Sequence, residues 1–163
     1  LNDRGIARAT VNPQGTHVAL RDDQFWLLEL ETGEPVWSLE DVPWINTLAW
    51  SPSGDRIATA HHERAVRIWD ASTGMELLKV VEKKPMTGVD WSPDGTRFAT
   101  QSVNGWHAVW DAASGERLAS GISRTATFSY RFGIKWDPTG ERLASIGGVG
   151  GAGRGQIGGS RRH

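Results

Sequence analysis

Cysteine is absent from the 163 residues, tyrosine occurs once and methionine twice. Without cysteine there is no disulfide, no thiolate metal site and no cysteine nucleophile. A cysteine-free chain is compatible with a reducing compartment, and the cytoplasm is the expected location. Charge of one sign is also lacking: 18 Lys and Arg stand against 19 Asp and Glu, for a net charge of −1. That balance gives no electrostatic case for nucleic acid or for an anionic membrane surface. No apolar run approaches the roughly 18–20 residues of a membrane-spanning helix. Tryptophan is what the chain has in abundance, nine against four Phe and one Tyr.

Most of that tryptophan belongs to a repeat. Residues 45–80 carry two landmarks, WSPSG at Trp50 to Gly54 and IWD at Ile68 to Asp70. The pair returns 41 residues later as WSPDG at Trp91 to Gly95 and VWD at Val109 to Asp111. One unit reads as four short strands. Ile45, Leu48 and Trp50 form the first, which ends at a turn where Pro52 presets φ and Gly54 accepts a positive value. Arg56 to Ala60 is the second. His61 to Arg64 reads as a polar turn, and the alternating Ala65 to Trp69 as the third strand. Asp70 to Gly74 is another turn, and Met75 to Val80 the fourth strand. A small antiparallel sheet with apolar residues on both faces cannot bury itself alone and needs neighbours of the same kind.

Residues 6–39 form a degenerate first copy. VNPQG at Val11 to Gly15 replaces WSPSG, Leu28-Glu29 replaces Trp69-Asp70, and the link near Arg21 to Gln24 is two residues shorter. The third copy, residues 86–120, is the most regular. Its Asn104-Gly105 predicts a two-residue hairpin of type I′. The fourth copy spans residues 133–146 and contains WDPTG at Trp136 to Gly140. A third strand ending in Trp-Asp is then expected near residue 155. The chain instead runs into residues 147–163, where eight of 17 are Gly. Such a segment is expected to be disordered, and truncation or a frame change is expected to have replaced the rest of the domain, which occupies residues 1–146.

The period, the W-S-P-[DS]-G turn and the [IV]-W-D pair followed by [ST]-G resemble the WD-repeat (Trp-Asp, WD-40) β-propeller family, in a bacterial-looking style. The resemblance implies an all-β fold, a propeller fragment of about three and a half four-stranded antiparallel blades. Propellers commonly close with 4–8 blades, so an open fragment implies missing blades or self-association through open faces. The family's opening Gly-His pair is absent, and its turn Asp is Glu63 or Asn104 here. The buried Asp-His-Ser/Thr-Trp network of the family is therefore not expected, and Trp69 and Trp110 are expected to be packing residues only.

In that family the connections between strands four and one, and between strands two and three, line one face that binds partners. Carried over, this face includes Asp41, Trp44, His61, His62, Glu63, Arg64, Lys83, Lys84, Asn104, Trp106, Tyr130 and Arg131. Trp and Arg are enriched at interface hot spots. The bland alternative is that Trp44 packs over a blade edge while the charges are merely solvated.

Other chemistry is weaker. His61, His62, Glu63 and His107 have no metal-ligand spacing, and adjacent turn histidines point apart. Residues 153–158 match G-x-G-x-x-G, but without the strand before and helix after that a dinucleotide site requires. Arg154, Arg161 and Arg162 are too few for RNA binding in a chain of net charge −1. No nucleophile elbow, triad or carboxylate pair stands out. The expectation is a non-enzymatic interaction scaffold with no cofactor and no metal, displaying loop residues to a protein partner. The alternative is the sensor or regulatory propeller of a larger signalling enzyme, a kinase or nucleotide hydrolase, whose catalytic domain lies outside this chain.

Overall fold

The computed structural model describes residues 8–103, 105–122 and 133–146. The first sheet contains β1 (Arg8–Val11), β2 (His17–Arg21), β3 (Phe25–Glu29) and β4 (Pro35–Leu39). The second contains β5 (Ile45–Trp50), β6 (Arg56–His61), β7 (Ala65–Asp70) and β8 (Glu76–Val81). The third contains β9 (Met86–Trp91), β10 (Arg97–Ser102), β11 (Trp106–Asp111) and β12 (Arg117–Ile122). β13 (Gly133–Trp136) and β14 (Leu143–Ile146) pair as a two-stranded sheet. Neighbours in every sheet follow chain order and are antiparallel.

The turns explain the repeat motifs. Gly54 closes its turn by donating its amide to the Ser51 carbonyl at 3.0 Å, with φ at 75°. A side chain there would be strained, because L-residues rarely adopt that conformation. Gly15, Gly95 and Gly140 close the same turn in the other copies. The Asp of the Trp-Asp pair caps the next reversal. Asp70 Oδ1 accepts from the amides of Ser72 and Thr73, each at 2.9 Å, and from both of their hydroxyls. Those bonds hold the Asp70 carboxyl below its usual range, the Ser72 hydroxyl contributing most. Asp111 repeats the arrangement with Ala113 and Ser114.

Stacking of the sheets builds the core. The first strands β1, β5, β9 and β13 lie side by side. Ala19, Phe25 and Leu27 of the first sheet pack on Ile57 and Trp69 of the second. Ala58, Ala60, Val66 and Ile68 on the other face of the second sheet pack on Trp91, Phe98 and Trp110 of the third. Ala99 and Val109 then meet Ile134 and Leu143. The Trp that opens each turn also donates across the interface. Trp50 Nε1 bonds the Thr10 carbonyl at 3.0 Å, and Trp91 Nε1 bonds the Ala49 carbonyl at 3.2 Å. This is the radial stacking of an incomplete β-propeller, and each sheet is a blade.

Three expectations are corrected. His61 is not in the turn: it is the last residue of β6 and is 0% exposed. Pairing of Ile45 with His61 carries the strand one residue into the polar stretch that suggested a reversal, and the turn keeps only residues 62–64. Trp69 and Trp110 do more than pack. Their Nε1 atoms donate to Thr59 Oγ1 at 2.7 Å and Thr100 Oγ1 at 2.9 Å. A buried indole N–H left unpaired would cost about 1–3 kcal/mol, and a threonine on the adjacent strand removes that cost. Finally, Gly105 donates to the Ser102 carbonyl at 3.0 Å, so it is the fourth residue of its turn and not the second of a central pair. The expected tail, residues 147–163, lies outside the described residues, as do Asn104, Tyr130 and Arg131.

Candidate partner-binding face

Connections between strands four and one and between strands two and three come together at one end of the stack. The His62 amide donates to the Trp44 carbonyl at 3.1 Å, and the Val103 amide donates to the Pro85 carbonyl at 3.1 Å. The Glu82 amide donates to the Arg64 carbonyl at 2.8 Å. These backbone bonds join loops that are about 18 residues apart in sequence. Two non-glycine residues at this end take positive φ, Asp41 at 57° and Arg64 at 72°. Both side chains are exposed.

Trp44 is 57% exposed, a large fraction for an indole. The Arg21 guanidinium lies 3.8 Å from its ring centroid, a cation–π contact. Arg21 itself is nearly buried, and burial pushes its pKa below the ordinary value, while Asp23 and Asp22 oppose that shift. Its position at the end of β2 carried no sequence signal for this contact, because its partner lies in a loop of the next blade. His62, Glu63, Lys83 and Lys84 are exposed, and Trp106 is half-buried at the start of β11.

His61 was expected on the surface of this face. Its Nε2 lies 2.7 Å from Thr59 Oγ1 and its Nδ1 lies 3.0 Å from the Pro43 carbonyl. Burial pushes the imidazole down to about 4, against the raising effect of the Pro43 carbonyl. His61 is therefore neutral near pH 7, and its ring pins the connection to the blade. Together with Trp69 it forms a Trp–Thr–His chain, with the histidine coming from β6 and not from the start of the repeat.

An ion cluster sits beside it. The Arg67 guanidinium bonds Glu63 and Glu76, the latter at 2.5 Å, and Lys79 lies 3.9 Å from Glu63. The Arg67 hydrogen bond is the largest cause of the lowered Glu63 pKa. Glu63 is thus committed to an internal partner, which the sequence reading had placed on a partner face. Among the described residues no three His, Asp or Glu side chains converge on a metal-sized space. Nor, among the described residues, is any helix long and apolar enough to cross a membrane.

The sheets and their stacking define the protein as a β-propeller. The family model of the eukaryotic translation initiation factor eIF2A matches residues 21–113. That is more than half of the chain, and the chain belongs to this family. A solved structure of hydrazine synthase from Kuenenia stuttgartiensis is similar in fold, with a TM-score of 0.77 at 18% identity over 92% of this chain. This chain spans 44% of that one. No curated protein sequence matches it.

Proposed function

We propose that this propeller is a WD-repeat interaction scaffold, bacterial and cytoplasmic, without catalytic activity of its own. It displays the loops around Trp44 and Trp106 to a protein partner. The observation that carries the reading is the exposed Trp44 indole, held under the Arg21 guanidinium on loops tied together by backbone hydrogen bonds. A preorganised aromatic anchor loses little conformational freedom on binding. The family takes its name from a translation initiation factor, which makes components of the translation machinery the first partners to try. Nucleic acid and membrane are not in the proposal, since net charge is −1.

Replacing Trp44 and Trp106 with Ala tests the face. Capture of a partner should fall at least about tenfold while the melting temperature stays within a few degrees. Unchanged capture by the double variant would sink the assignment.

The first blade adds a self-association reading. Its outward face carries Val11 and Leu30, 47% and 48% exposed, beside half-buried Val18, Trp26 and Leu28. The corresponding face of the second blade is covered by the first. A second copy would cover this face, and sedimentation across a concentration series should then show dimers. A monomer at all concentrations would exclude it.

A further inference from the structure

We infer that the cleft between the second and third blades receives an acidic peptide segment, whose carboxylates bind Lys83, Lys84 and Arg117. This deepens the scaffold reading and rests on it, because it names the chemistry of the partner at one part of the proposed face.

The cleft has a volume of about 400 Å³. The connection Glu82-Lys83-Lys84 forms one wall, and Ser102, Trp106, Arg117 and Ser120 of the third blade form the other. The equivalent cleft between the first and second blades shows how this propeller fills such a space. There His61 stands where the third blade has Ser102, and Glu76 stands where it has Arg117. Arg67 is neutralised there by two carboxylates of its own chain, Glu63 and Glu76.

The third blade loses those acids and places its cations elsewhere: Arg117 stands where the second blade has Glu76, and Lys83 and Lys84 stand where the earlier connection has Val42 and Pro43. Shrinking His61 to Ser102 opens space, and Ser120 is small where Lys79 is long. The only carboxylate lining the cleft among the described residues is Glu82, which lies 3.4 Å from Arg117 and whose side chain is 9% exposed. Lys83 and Lys84 are exposed, and neither ammonium has a hydrogen-bond or ion-pair partner among the described residues. The lining therefore carries three cations against one anion. Charge complementarity favours carboxylates. Monoanionic carboxylates spaced along a chain suit this site better than a phosphate does. A dianion near Arg117 would face the nearly buried Glu82, and the two lysines offer no bidentate fork. Trp106 supplies an apolar wall for the side chains between the acids.

The test uses the whole chain and a fluorescein-labelled peptide of alternating Glu and Leu, with a Gln–Leu peptide of equal length as reference. Fluorescence anisotropy at low salt should give at least about tenfold tighter binding of the acidic peptide. The Lys83→Gln, Lys84→Gln double variant should lose about tenfold for the acidic peptide only, with unchanged melting, since both side chains are exposed and unpaired. Equal binding of the two peptides, or undiminished binding by the double variant, overturns the inference. So does displacement of the peptide by inorganic phosphate or an RNA oligonucleotide at lower concentration than by unlabelled peptide. The scaffold reading fails separately, if the Trp44→Ala, Trp106→Ala variant keeps its partner. If the Trp44→Ala, Trp106→Ala variant loses its partner while the lysine variant keeps it, the face stands and the acidic-segment inference falls.

Discussion

The second and third blades share period, turns and core, yet differ at the end that carries the loops. Trp69 bonds Thr59 in one, and Trp110 bonds Thr100 in the other. Beyond that pair they diverge. In the second blade Thr59 also meets His61, and the imidazole holds the Pro43 carbonyl. In the third, Ser102 occupies the position of His61 and a cleft opens. Arg64 takes φ of 72° where Gly105 takes 76°. Residues in the stacked faces pack against whole neighbouring blades, whereas His61 at the loop end meets the connecting loop through the Pro43 carbonyl. A repeat can therefore vary there without losing its core.

The largest effect should come from the shared interface. Trp91→Ala removes an indole that packs on Phe98 at 6.0 Å and bonds the Ala49 carbonyl. Chemical denaturation should register a loss of about 3–5 kcal/mol. Val11 occupies the matching place in the first blade and is 47% exposed, so Val11→Ala should cost under about 0.5 kcal/mol. Similar losses for the two would refute the stacking account.

Acid should separate the blades next. Unfolded His61 takes up a proton near its ordinary value of 6.5, but the folded chain does so only at about 4. Between those values the unfolded chain binds more protons. The stability contribution is therefore complete above pH 6.5 and drains away as pH falls toward 4, by about 3 kcal/mol in all. His61→Ser, which copies the third blade, should flatten that slope in a series of urea titrations. The turn aspartates act in a lower window. The Ser92 hydroxyl is the main cause that holds Asp94 at about 2, so its contribution goes only below about pH 4.

Thr59→Val should cost about 1–3 kcal/mol by leaving the Trp69 N–H unpaired. Thr100→Val should cost less, because Thr59 serves both an indole and an imidazole. Thermal melts of the two variants decide this. Equal shifts would show that His61 draws nothing from Thr59. The smallest effect should be a gain: Arg64→Gly relieves a left-handed residue with an exposed side chain and should add about 1 kcal/mol. Gly105→Arg should lose a similar amount.

The four-strand units were legible because their signals are local. Gly54 and the Asp70 carboxylate act on atoms two or three residues away, and alternation in Ala65 to Trp69 marks a strand by itself. Most of the candidate face followed from the repeat as well, since Trp44, His62, Lys83 and Trp106 lie near the ends of predicted strands. His61 was misread because its polarity suggested a turn, while its pairing partner Ile45 lies 16 residues earlier. Nothing in the sequence linked Arg21 to Trp44, or Arg67 to both Glu63 and Glu76 as one cluster.

By itself the sequence determined the strands, the turns and the need for repeated neighbours, because those are set by φ preferences and by side chains alternating along a few residues. Only the tertiary structure decided which tryptophan bonds which carbonyl, that His61 is buried and neutral, and that one cleft is filled while the next is open. Those outcomes depend on blades packing against one another. Trp50 meets Thr10 and Trp91 meets Ala49, each about 40 residues away along the chain. At that separation no local pattern specifies a partner, and packing of whole faces does.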